Sequence, residues 1–597
     1  MKLFLSGNEA IAFGLLEAGV RFVSGYPGTP SSEVLPTAAK LAKQFKIDGY
    51  FNWAVNEKVA FEETTAASFA NIPAAFVAKQ VGLNVAMDPY MNTALVGSDG
   101  GLVVVVADDP GPHSSQTEQD SRFMAYFAKI PVLEPSTPEE AYLFAKKALN
   151  LSRQYKIPVI IRTTTRVSHS KEDIEVGRLS NYTIKAQFNK NTDRYAATPH
   201  FRYLLHKQLN EKIEKIKNNE FEIKTYFSGK KLIITSGISF AYLYDIITEY
   251  NLTDKLTIAK IDMPYPLNEE TLHRLADKFE EVIIIEEGYP VLELQFRKEC
   301  KGREDGTVPK EGELTIDVIK SILQKLSIMP EEKSSKLIKP PFKRPSLCPG
   351  CGHRTAFYAI KQVFKDDAIY TGDIGCYTLG LNLKAVDTVH CMGASVSFGF
   401  GFQKAFELSN NKKPVVVTIG DSTFFHSGIT PLIDAVHNNS PFIVVILDNS
   451  TVAMTGNQPT PTNTYNEDGS KATPVLIENI VKAIGVDFLK ICDAYDFDCM
   501  KKALLEAKDY IENYSSPAVL IFRHPCIYTT EGLKNNPRFK RVFVDEQLCK
   551  GCKICIENFE CPSLIFNGSV VEIDTTTCIN CGQCVVSCPF DAIKVEK

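Results

Sequence analysis

No apolar run in the 597-residue sequence is long enough to cross a membrane, because runs such as Leu102–Ala107 and Phe442–Leu447 have only the length of a β-strand. Near the amino terminus, Asn8 and Glu9 interrupt the apolar segment that a signal peptide needs, and no cleavage site follows. Basic residues are not in excess, since 66 Lys and Arg face 71 Asp and Glu for a net charge of -5. These absences predict a cytoplasmic protein that neither spans a membrane nor binds nucleic acid in general.

The sequence also lacks a short solenoid-type repeat, so its length is divided among separate domains, roughly three to five of them. Strand-like runs such as Gly101–Ala107 alternate with helical stretches such as Pro138–Gln154, which indicates a parallel α/β sheet. We expect an α/β domain over 1–180, a polar connector with one amphipathic helix over 181–230, a second α/β domain over 231–328, a Pro- and Lys-rich linker over 329–345, a third α/β domain over 346–530 and a small tail over 541–597.

The sixteen cysteines are unevenly distributed, because eight of them lie between Cys549 and Cys588. The cytoplasm keeps thiols reduced, so disulfides are not expected. A tail of this size is too small for a large hydrophobic core and needs a further stabilising element, such as a bound metal. The clustering of cysteines therefore indicates a metal.

Two cysteine runs in the tail have the spacing of iron–sulfur ligands. Each begins C-x2-C-x2-C and is followed by a remote Cys-Pro, which in two-cluster ferredoxins ligates the other cluster. The first run has five residues rather than three before that Cys-Pro, which lengthens a loop and leaves the ligand count intact. A pair of structural zinc sites is the alternative, although zinc motifs usually offer paired C-x2-C halves. We predict two 4Fe–4S clusters, one held by Cys549, Cys552, Cys555 and Cys588 and the other by Cys561, Cys578, Cys581 and Cys584.

Polar residues follow two apolar runs in the third α/β region. Gly420, Asp421 and Ser422 follow PVVVTI, and Asn449 follows PFIVVIL, 28 residues after Asp421. One β–α–β crossover of that length returns the chain to a neighbouring parallel strand, so both side chains should lie at the carboxyl edge of one sheet. The glycine lets the backbone approach a phosphate, and the aspartate can bind a hard cation. On spacing alone, two ordinary strand-end turns are the alternative.

This pattern resembles the thiamine-diphosphate signature, a Gly-Asp pair followed by a distant Asn. The resemblance implies Mg²⁺ ligands in the side chains of Asp421 and Asn449 and the backbone carbonyl of Thr451. The usual pattern is Gly-Asp-Gly, so Ser422 weakens the bare motif but leaves the ligand positions intact. Thiamine enzymes also need a carboxylate that bonds the aminopyrimidine ring and helps to remove the thiazolium proton. Glu57 opens a helix after GYFNWAV, although a glutamate in a first helical turn is often only a favourable dipole partner.

Longer motifs resemble one family over nearly the whole chain. They are GYPGTPSSE from Gly25, NEK from Asn56, VGLN from Val81, ADDPG from Ala107, HSSQ from His113, CPGCGHR from Cys348 and DIGCY from Asp373. Together with the tail, these segments resemble the large subunit of the indolepyruvate:ferredoxin oxidoreductases. The resemblance implies two doubly wound thiamine-diphosphate-binding domains, a transketolase C-terminal-like α/β domain and a two-cluster ferredoxin-like tail. It makes Glu57 the pyrimidine activator, and similarity to related oxidoreductases places Thr29 against the substrate.

A third cysteine set begins the last α/β domain. Cys348 and Cys351 form C-x2-C, Cys376 lies 28 residues after Cys348, and Cys526 follows the final strand. Related oxidoreductases hold a cluster near thiamine with a similarly spaced quartet, which implies a third cluster here. A zinc site, or thiols that line the cofactor pocket, are the alternatives. The remaining cysteines lack partners at ligand spacing and are expected to be buried thiols, namely Cys300, Cys391, Cys492 and Cys499.

Three further side chains are weaker candidates for contact with the substrate. His353 follows the C-x2-C pair and His426 follows the Gly-Asp-Ser turn, although a lone histidine is more often structural. Arg122 could bind a carboxylate through two hydrogen bonds, with a surface salt bridge as the alternative.

The resemblance also implies a reaction and its participants. Thiamine diphosphate with Mg²⁺ would attack the ketone of an arylpyruvate and release CO₂, electrons would leave singly through the clusters to ferredoxin, and coenzyme A would take the acyl group. A domain of related one-chain oxidoreductases is not found here, which implies a smaller partner subunit in a heterodimer or a dimer of heterodimers. The alternatives are the same chemistry on pyruvate, a branched-chain oxoacid or phenylglyoxylate, a non-oxidative thiamine decarboxylase, and an electron-transfer adaptor with a decayed thiamine site. The tail clusters argue against the decarboxylase, and intact Glu57, Asp421 and Asn449 argue against the adaptor.

Overall fold

The structure is a computed structural model that describes residues 1–181, 184–196, 199–330, 344–409, 413–535 and 538–596. The chain divides into unit 1, with Met1–Leu337 and Glu467–Gly469, and unit 2, with Ile338–Asn466 and Ser470–Lys597. The linker predicted over 329–345 lies mostly outside the described residues. Over the parts of the chain that are described, no helix is both long and apolar enough to cross a membrane.

The first domain of unit 1 alternates strands and helices. Its strands are β1 (Lys2–Ser6), β2 (Phe22–Gly25), β3 (Tyr50–Trp53), β4 (Ala74–Lys79), β5 (Leu102–Asp108), β6 (Val132–Leu133), β7 (Val159–Thr164) and β8 (Lys171–Glu175). Its helices are α1 (Gly7–Ala18), α2 (Val34–Phe45), α3 (Glu57–Phe69), α4 (Gln80–Val85), α5 (Met87–Val96), α6 (Ser121–Ala128), α7 (Pro138–Tyr155) and α8 (Thr165–His169). The main sheet has the order β3-β2-β4-β5-β7-β6 with parallel pairing throughout, and β1 and β8 form a separate antiparallel pair. The predicted parallel sheet is confirmed.

The sequence of β5 explains the position of this sheet. Every residue of LVVVVAD is buried, as expected for a parallel strand that helices cover on both faces. Helix α1 begins with a capping box between Ser6 and Glu9 and ends at Gly19, whose φ is 107°. Because the strands are parallel, the turns that follow β2, β4 and β5 emerge at one carboxyl edge, where open α/β sheets bind ligands.

A connector and a second α/β domain complete unit 1. Their elements are α9 (Thr192–Tyr195), α10 (Pro199–Asn219), β9 (Ile223–Tyr226), β10 (Lys231–Thr235), α11 (Gly237–Glu249), β11 (Leu256–Ile261), α12 (Glu269–Ala276), β12 (Glu281–Ile285), α13 (Val291–Phe296) and α14 (Ile316–Lys325). The predicted amphipathic helix is α10, which buries Leu205, Leu209, Ile213 and Ile216 at helical spacing. The sheet has the order β12-β10-β11-β9, and β9 pairs antiparallel with β11. Part of the predicted connector is therefore an edge strand, which its mixed polar sequence did not indicate.

Unit 2 begins with a third α/β domain. Its elements are α15 (Gly352–Phe364), β13 (Ile369–Thr371), α16 (Ala394–Leu408), β14 (Val415–Gly420), α17 (Asp421–Thr423), α18 (Ile429–His437), β15 (Ile443–Asp448), α19 (Ile477–Ile484), β16 (Phe488–Asp493), α20 (Phe497–Asn513) and β17 (Ala518–Arg523). The five strands are parallel in the order β13-β14-β15-β17-β16. Strands β14 and β15 are neighbours, as the spacing of Asp421 and Asn449 predicts.

The tail of unit 2 contains α21 (Thr530–Asn535), β18 (Arg541–Val544), α22 (Ile554–Glu557), β19 (Leu564–Phe566), β20 (Val571–Ile573) and β21 (Ile593–Glu596). β18 pairs with β21 and β19 pairs with β20, both antiparallel. Phe559 and Leu564 of the tail belong to the same apolar core as Phe357 and Tyr358 of α15. The rings of Phe559 and Tyr358 meet edge-on at 5.4 Å. The tail thus shares a core with the third α/β domain.

The expectation of buried free thiols for the isolated cysteines is wrong in part. Cys492 at the end of β16 and Cys499 in α20 form a disulfide, because the turn between these elements brings their Cα atoms to 5.9 Å. Cys391 is exposed in the loop before α16, and Cys300 is only partly buried. The sequence analysis excluded disulfides only because the cytoplasm keeps thiols reduced. Two cysteines that pair locally in this way lack the spacing of metal ligands.

Candidate active site and cysteine cavities

The ends of β14 and β15 bring two carboxylates together. Gly420 pairs with Leu447, so the next residues, Asp421 and Asp448, are neighbours at the sheet edge. Both are buried, and Asp421 Oδ2 has no hydrogen-bond partner among the described residues. Burial, and then the charge of Asp448, raise the pKa of Asp421 well above its usual range. A bound divalent cation would relieve this repulsion, so the donors present fit Mg²⁺.

The other predicted magnesium ligands lie just beyond Asp448. Asn449 Oδ1 accepts a hydrogen bond from the Thr451 N–H at 3.3 Å, and Thr451 is buried. Between them, Ser450 has a φ of 60°, which turns the chain at the sheet edge. The Ser450 N–H donates to Asp448 Oδ1 at 3.1 Å, so this turn is tied to the end of β15, beside β14. The structure therefore brings the three predicted ligands to one place in unit 2.

Close packing explains the glycine at the end of β14. A Cβ atom at position 420 would come within 2.2 Å of the Tyr377 ring. The next position differs, because Ser422 is buried within the helical turn α17. A helical backbone does not require glycine, which explains how serine replaces the second glycine of the signature.

Glu57 is the first residue of α3 and is buried. Its helix begins where Asn56 Oδ1 accepts a hydrogen bond from the Val59 N–H at 2.9 Å. Gly82 of α4 packs against the carboxyl group, because a Cβ atom there would lie 2.6 Å from Glu57 Oε1. A dipole partner at a helix start needs no burial, whereas an acid–base group does benefit from partial desolvation.

Thr29 lies in the turn after β2, at the same sheet edge of unit 1. Its carbonyl accepts a hydrogen bond from Ser114 Oγ at 3.2 Å. Asp109 Oδ2 accepts from the Ser114 N–H at 2.8 Å and from Ser115 Oγ at 2.9 Å. Lys79, the last residue of β4, donates to the Ser114 carbonyl at 3.1 Å. The turns after β2, β4 and β5 thus form one polar edge that includes Thr29.

Arg122 has a role that neither sequence alternative predicted. Its guanidinium is fully buried and binds Asp120 at 2.6 Å and Glu286 at 2.9 Å. It also donates to the carbonyls of Glu287 and Tyr289 at 2.7 and 2.9 Å. All its nitrogens are engaged, so the predicted substrate contact is wrong, and burial excludes a surface salt bridge. Arg122 instead joins the two α/β domains of unit 1.

We expect Arg122→Met to destabilise unit 1 by about 3–5 kcal/mol, the usual cost of removing one partner from a buried ion pair. The change would leave Glu286 buried without this ion-pair partner, and Asp120 with only the more distant Arg162 at 3.9 Å. The denaturant midpoint, followed by circular dichroism, is the measurement. Arg166→Met is the matched control, because half-exposed Arg166 pairs with Glu313 and such pairs contribute roughly 0–1 kcal/mol. Equal midpoints for the two variants would contradict the structural role.

The two predicted histidines lie in different surroundings within unit 2. His353 is buried in α15, and neither ring nitrogen has a hydrogen-bond partner among the described residues. Burial lowers the pKa of His353 to about 4, against the attraction of Asp448, so its ring is neutral near pH 7. His426 is buried in a π-helical turn, with its Nδ1 at 2.7 Å from Ser427 Oγ. The His353 ring meets the ring of Tyr377 edge-on, with 6.0 Å between the centroids.

Four tail cysteines surround one cavity, and they are the four predicted to share a cluster. Its lining includes Cys549, Cys552, Cys555 and Cys588, with Val544, Val571 and Ile593 as apolar walls. Burial, followed by the charges of Cys588 and Cys552, raises the pKa of Cys555 to about 11. The four thiols therefore converge on one cavity.

The other four tail cysteines surround a second cavity. Its lining includes Cys561, Cys578, Cys581 and Cys584, together with Cys351 and Arg354 from the third α/β domain. Burial and then the charge of Cys561 raise the pKa of Cys584 well above its usual range. Both remote cysteines, Cys561 and Cys588, therefore cross to the other run, as the ferredoxin spacing predicts.

The third predicted set also converges. Burial, and then the charges of Cys351, Cys348 and Cys526, raise the pKa of Cys376 to about 12. Burial likewise raises the pKa of Cys526, with Cys351 and Cys348 adding to the shift. Four thiols separated by up to 178 positions in the sequence thus lie within electrostatic reach of each other.

Across the ranges that the structure describes, no group of three or more His, Cys, Asp or Glu side chains is arranged to hold a single metal ion. A 4Fe–4S cluster binds each thiolate to a different iron, so its ligands stand farther apart than those of one ion. The observation that bears on a cluster is the convergence of four thiols.

Three family models match separate parts of the chain. Residues 14–227 match the thiamine-diphosphate-binding model of pyruvate flavodoxin/ferredoxin oxidoreductases, residues 373–522 match the C-terminal binding domain of thiamine pyrophosphate enzymes, and residues 571–594 match the 4Fe-4S binding domain. Curated relatives match over the full length. The indolepyruvate oxidoreductase subunit IorA of Archaeoglobus fulgidus is 39% identical over 621 residues, which covers 100% of this chain and 98% of the relative. The chain belongs to the IorA family of indolepyruvate oxidoreductase subunits.

Other relatives agree with this assignment. IorA of Pyrococcus abyssi is 38% identical over 99% of this chain and 97% of its own length. The 2-oxoglutarate synthase subunit KorA of Methanocaldococcus jannaschii is 28% identical over 180 residues, which covers 29% of this chain and 48% of that subunit. This IorA-family chain is therefore a thiamine-diphosphate-dependent 2-oxoacid:ferredoxin oxidoreductase with an iron–sulfur domain. The predicted multi-domain α/β fold, with thiamine-diphosphate-binding domains and a ferredoxin-like tail, is confirmed.

Sequence reasoning missed two charged residues at these sheet edges. Asp448 directly precedes Asn449, and its carboxylate accepts from Arg523 Nε at 2.6 Å. Lys79 closes β4 beside Ser114. Both residues end a buried strand of a parallel sheet, and that position was the signal that could have revealed them.

Proposed function

We propose that the chain catalyses the oxidative decarboxylation of aryl 2-oxoacids to acyl-CoA with ferredoxin as electron acceptor. The carboxylate leaves as CO₂, the acyl carbon bonds to the sulfur of coenzyme A, and one proton and two electrons are released. The name of the full-length relatives supports indolepyruvate as substrate, and their designation as subunits supports a smaller partner.

Residues of both units have roles in this proposal. In unit 2, Asp421, Asn449 and the Thr451 carbonyl would hold Mg²⁺ and through it the diphosphate. Thiamine diphosphate, when bound, supplies the nucleophilic carbon and the electron sink that decarboxylation needs. In unit 1, the buried carboxyl group of Glu57 would bond the aminopyrimidine nitrogen and hold the proton that this ring exchanges.

The observation that carries the oxidative part of the proposal is the cavity that Cys351 shares with Cys561, Cys578, Cys581 and Cys584. On the rim of that cavity, Gly350 packs against Ile579, since a Cβ atom at 350 would lie 2.1 Å from its side chain. We therefore infer three 4Fe–4S clusters in a row. Electrons would pass one at a time from the cluster of Cys348, Cys351, Cys376 and Cys526 to the cluster of Cys561, Cys578, Cys581 and Cys584. They would then leave through the cluster of Cys549, Cys552, Cys555 and Cys588.

The test is anaerobic reduction of ferredoxin or a viologen dye by the chain co-expressed with its partner subunit. Indolepyruvate, phenylpyruvate, pyruvate, a branched-chain 2-oxoacid and 2-oxoglutarate are compared with and without coenzyme A. We expect the highest kcat/KM for the aryl substrates and dependence on coenzyme A. A higher kcat/KM for an aliphatic 2-oxoacid would overturn the aryl assignment, and CO₂ release without dye reduction would overturn the oxidative reaction.

Cysteine substitutions test the cluster assignment one set at a time. Cys376→Ser and Cys578→Ser should each remove about four irons per chain from a total of about twelve, since each breaks one 4Fe–4S cluster. Iron analysis and electron paramagnetic resonance of the reduced protein measure the loss. Cys300→Ser is the control, because Cys300 belongs to unit 1 and to none of the three sets. Unchanged iron in Cys376→Ser would eliminate the third cluster and leave the tail pair standing.

A further inference from the structure

Lys79 lies in the middle of the polar edge of unit 1. It ends β4, and its Nζ donates to the Ser114 carbonyl at 3.1 Å. Ser114 Oγ in turn donates to the Thr29 carbonyl at 3.2 Å. Asp109 accepts hydrogen bonds from the same serine. The lysine thus connects the turn after β2 with the loop after β5.

The glycine of that turn fixes the stem of Lys79. A Cβ atom at position 28 would lie 2.9 Å from both Cγ and Cδ of the lysine, so the backbone of the turn packs directly on its aliphatic chain. A long flexible side chain usually keeps its charged end in water. Here the stem is held, which gives the ammonium group a defined position at the sheet edge.

The surroundings of the ammonium group point to an anionic ligand. Burial lowers the pKa of Lys79 to about 8, while the negative charges of Asp109 and Glu57 oppose the shift. Asp109 is already engaged by Ser114 and Ser115. Within the described residues, Nζ uses one of its three N–H groups in a hydrogen bond, to a neutral carbonyl. A partly desolvated cation with donors to spare is suited to bind an anion.

Glu57 lies within electrostatic reach of this cation, and it is the proposed activator of the cofactor. A 2-oxoacid that reacts at this cofactor brings a carboxylate, whose negative charge needs a partner. A cation at the polar edge would bind that carboxylate, and without one the substrate would bind weakly. Lys79 contacts the loop that bonds Thr29 and lies within electrostatic reach of Glu57.

We propose that Lys79 binds the carboxylate of the 2-oxoacid substrate, an inference that rests on the proposed function. That carboxylate keeps its charge until CO₂ leaves, so the contact binds the substrate and the transition state of any earlier step nearly equally. Lys79 should therefore govern KM and have little effect on kcat.

Lys79→Met in the co-expressed holoenzyme is the central test. We expect KM for indolepyruvate to rise about 10- to 100-fold, as for loss of a hydrogen bond to a charged group, with kcat within about threefold of the wild type. Thiamine diphosphate affinity should not change. Lys79→Arg keeps the charge and should recover part of the loss in KM. The matched control is Lys58→Met, because Lys58 follows Glu57 directly but its side chain is half exposed.

Binding without turnover supplies a second readout. Indole-3-lactate keeps the carboxylate but cannot be decarboxylated in the same way, and its methyl ester lacks the charge. In the wild type the acid should inhibit far more strongly than the ester, and in Lys79→Met the two should become equal. If Lys79→Met fails to fold, the wild-type enzyme still tests the carboxylate contact. Indole-3-lactate should protect Lys79 from acylation by an amine-reactive reagent, while Lys58 still reacts, and mass spectrometry measures both.

The outcomes separate this inference from the function beneath it. An unchanged KM in Lys79→Met, or no protection of Lys79 by the lactate, overturns the carboxylate contact and leaves the enzyme assignment intact. A loss of thiamine diphosphate with unchanged KM overturns it in favour of a cofactor contact. If the wild type oxidises none of the 2-oxoacids, the proposed function fails, and the inference fails with it.

Discussion

Glu57→Gln should lower kcat by about a hundredfold or more while leaving thiamine diphosphate bound, because the amide keeps the size of the side chain and cannot exchange the proton. The carboxyl group is buried and packed against Gly82, so the isosteric amide fits the same space. Dye reduction measures the turnover, and thiamine content measures binding. Exchange of the thiazolium C2 proton with deuterium, quenched by acid, should slow in proportion to kcat.

Glu62→Gln is the control for this experiment. Glu62 lies on the same helix but its side chain is half exposed and pairs with Lys58, so its amide should be almost neutral. Near-normal turnover of folded Glu57→Gln protein would refute the assignment. Slow turnover with normal C2 exchange would instead move Glu57 to a later step.

The second large effect is expected for Asp421→Ala, which should abolish tight binding of thiamine diphosphate and with it the activity. The substitution removes an anionic oxygen ligand from the ion that holds the diphosphate. Within the described part of the chain, Asp421 Oδ2 has no hydrogen-bond partner, and the neighbouring charge of Asp448 also favours a bound cation. Thiamine and magnesium contents of the purified variant should fall together, while iron content stays at the wild-type value.

Asp434→Ala is the matched control, since Asp434 is exposed on α18 of the same domain. Asp421→Asn gives a second comparison, because it keeps an oxygen and removes the charge. It should bind the cofactor more weakly than the wild type and better than Asp421→Ala. Full thiamine content and activity in Asp421→Ala would show that the ion, if present, is bound elsewhere.

Features with short-range signals were predictable from the sequence. The β14 and β15 pairing followed from two apolar runs separated by one crossover, and the structure has them as neighbours. The ferredoxin-like exchange of Cys561 and Cys588 followed from ligand spacing, and each lines the cavity of the other run. Such patterns are local or repeat a known geometry, so no tertiary information is needed to recognise them.

Features that depend on packing between distant segments were not predictable. Arg122 looked like a substrate ligand, but its partner Glu286 lies 164 positions away and captures it in a buried network. Lys79 received no role, because its importance comes from Ser114 and Gly28, which meet it only in the folded sheet. The Cys492–Cys499 disulfide is local, and it was missed for another reason, because compartment was the only guide to the oxidation state.

The shared core of the tail and α15 predicts that iron supply affects the amount of enzyme in the cell. Phe559 and Leu564 cover Phe357 and Tyr358, and Arg354 donates to the Phe559 carbonyl at 3.0 Å. We expect the tail to depend on the proposed clusters for order, as small metal-bound domains do. In iron-starved cells the uncovered aromatic residues of α15 would mark the chain for aggregation or proteolysis. Enzyme that lacks its clusters would then be degraded. It would not accumulate as a thiamine-binding protein without an electron acceptor.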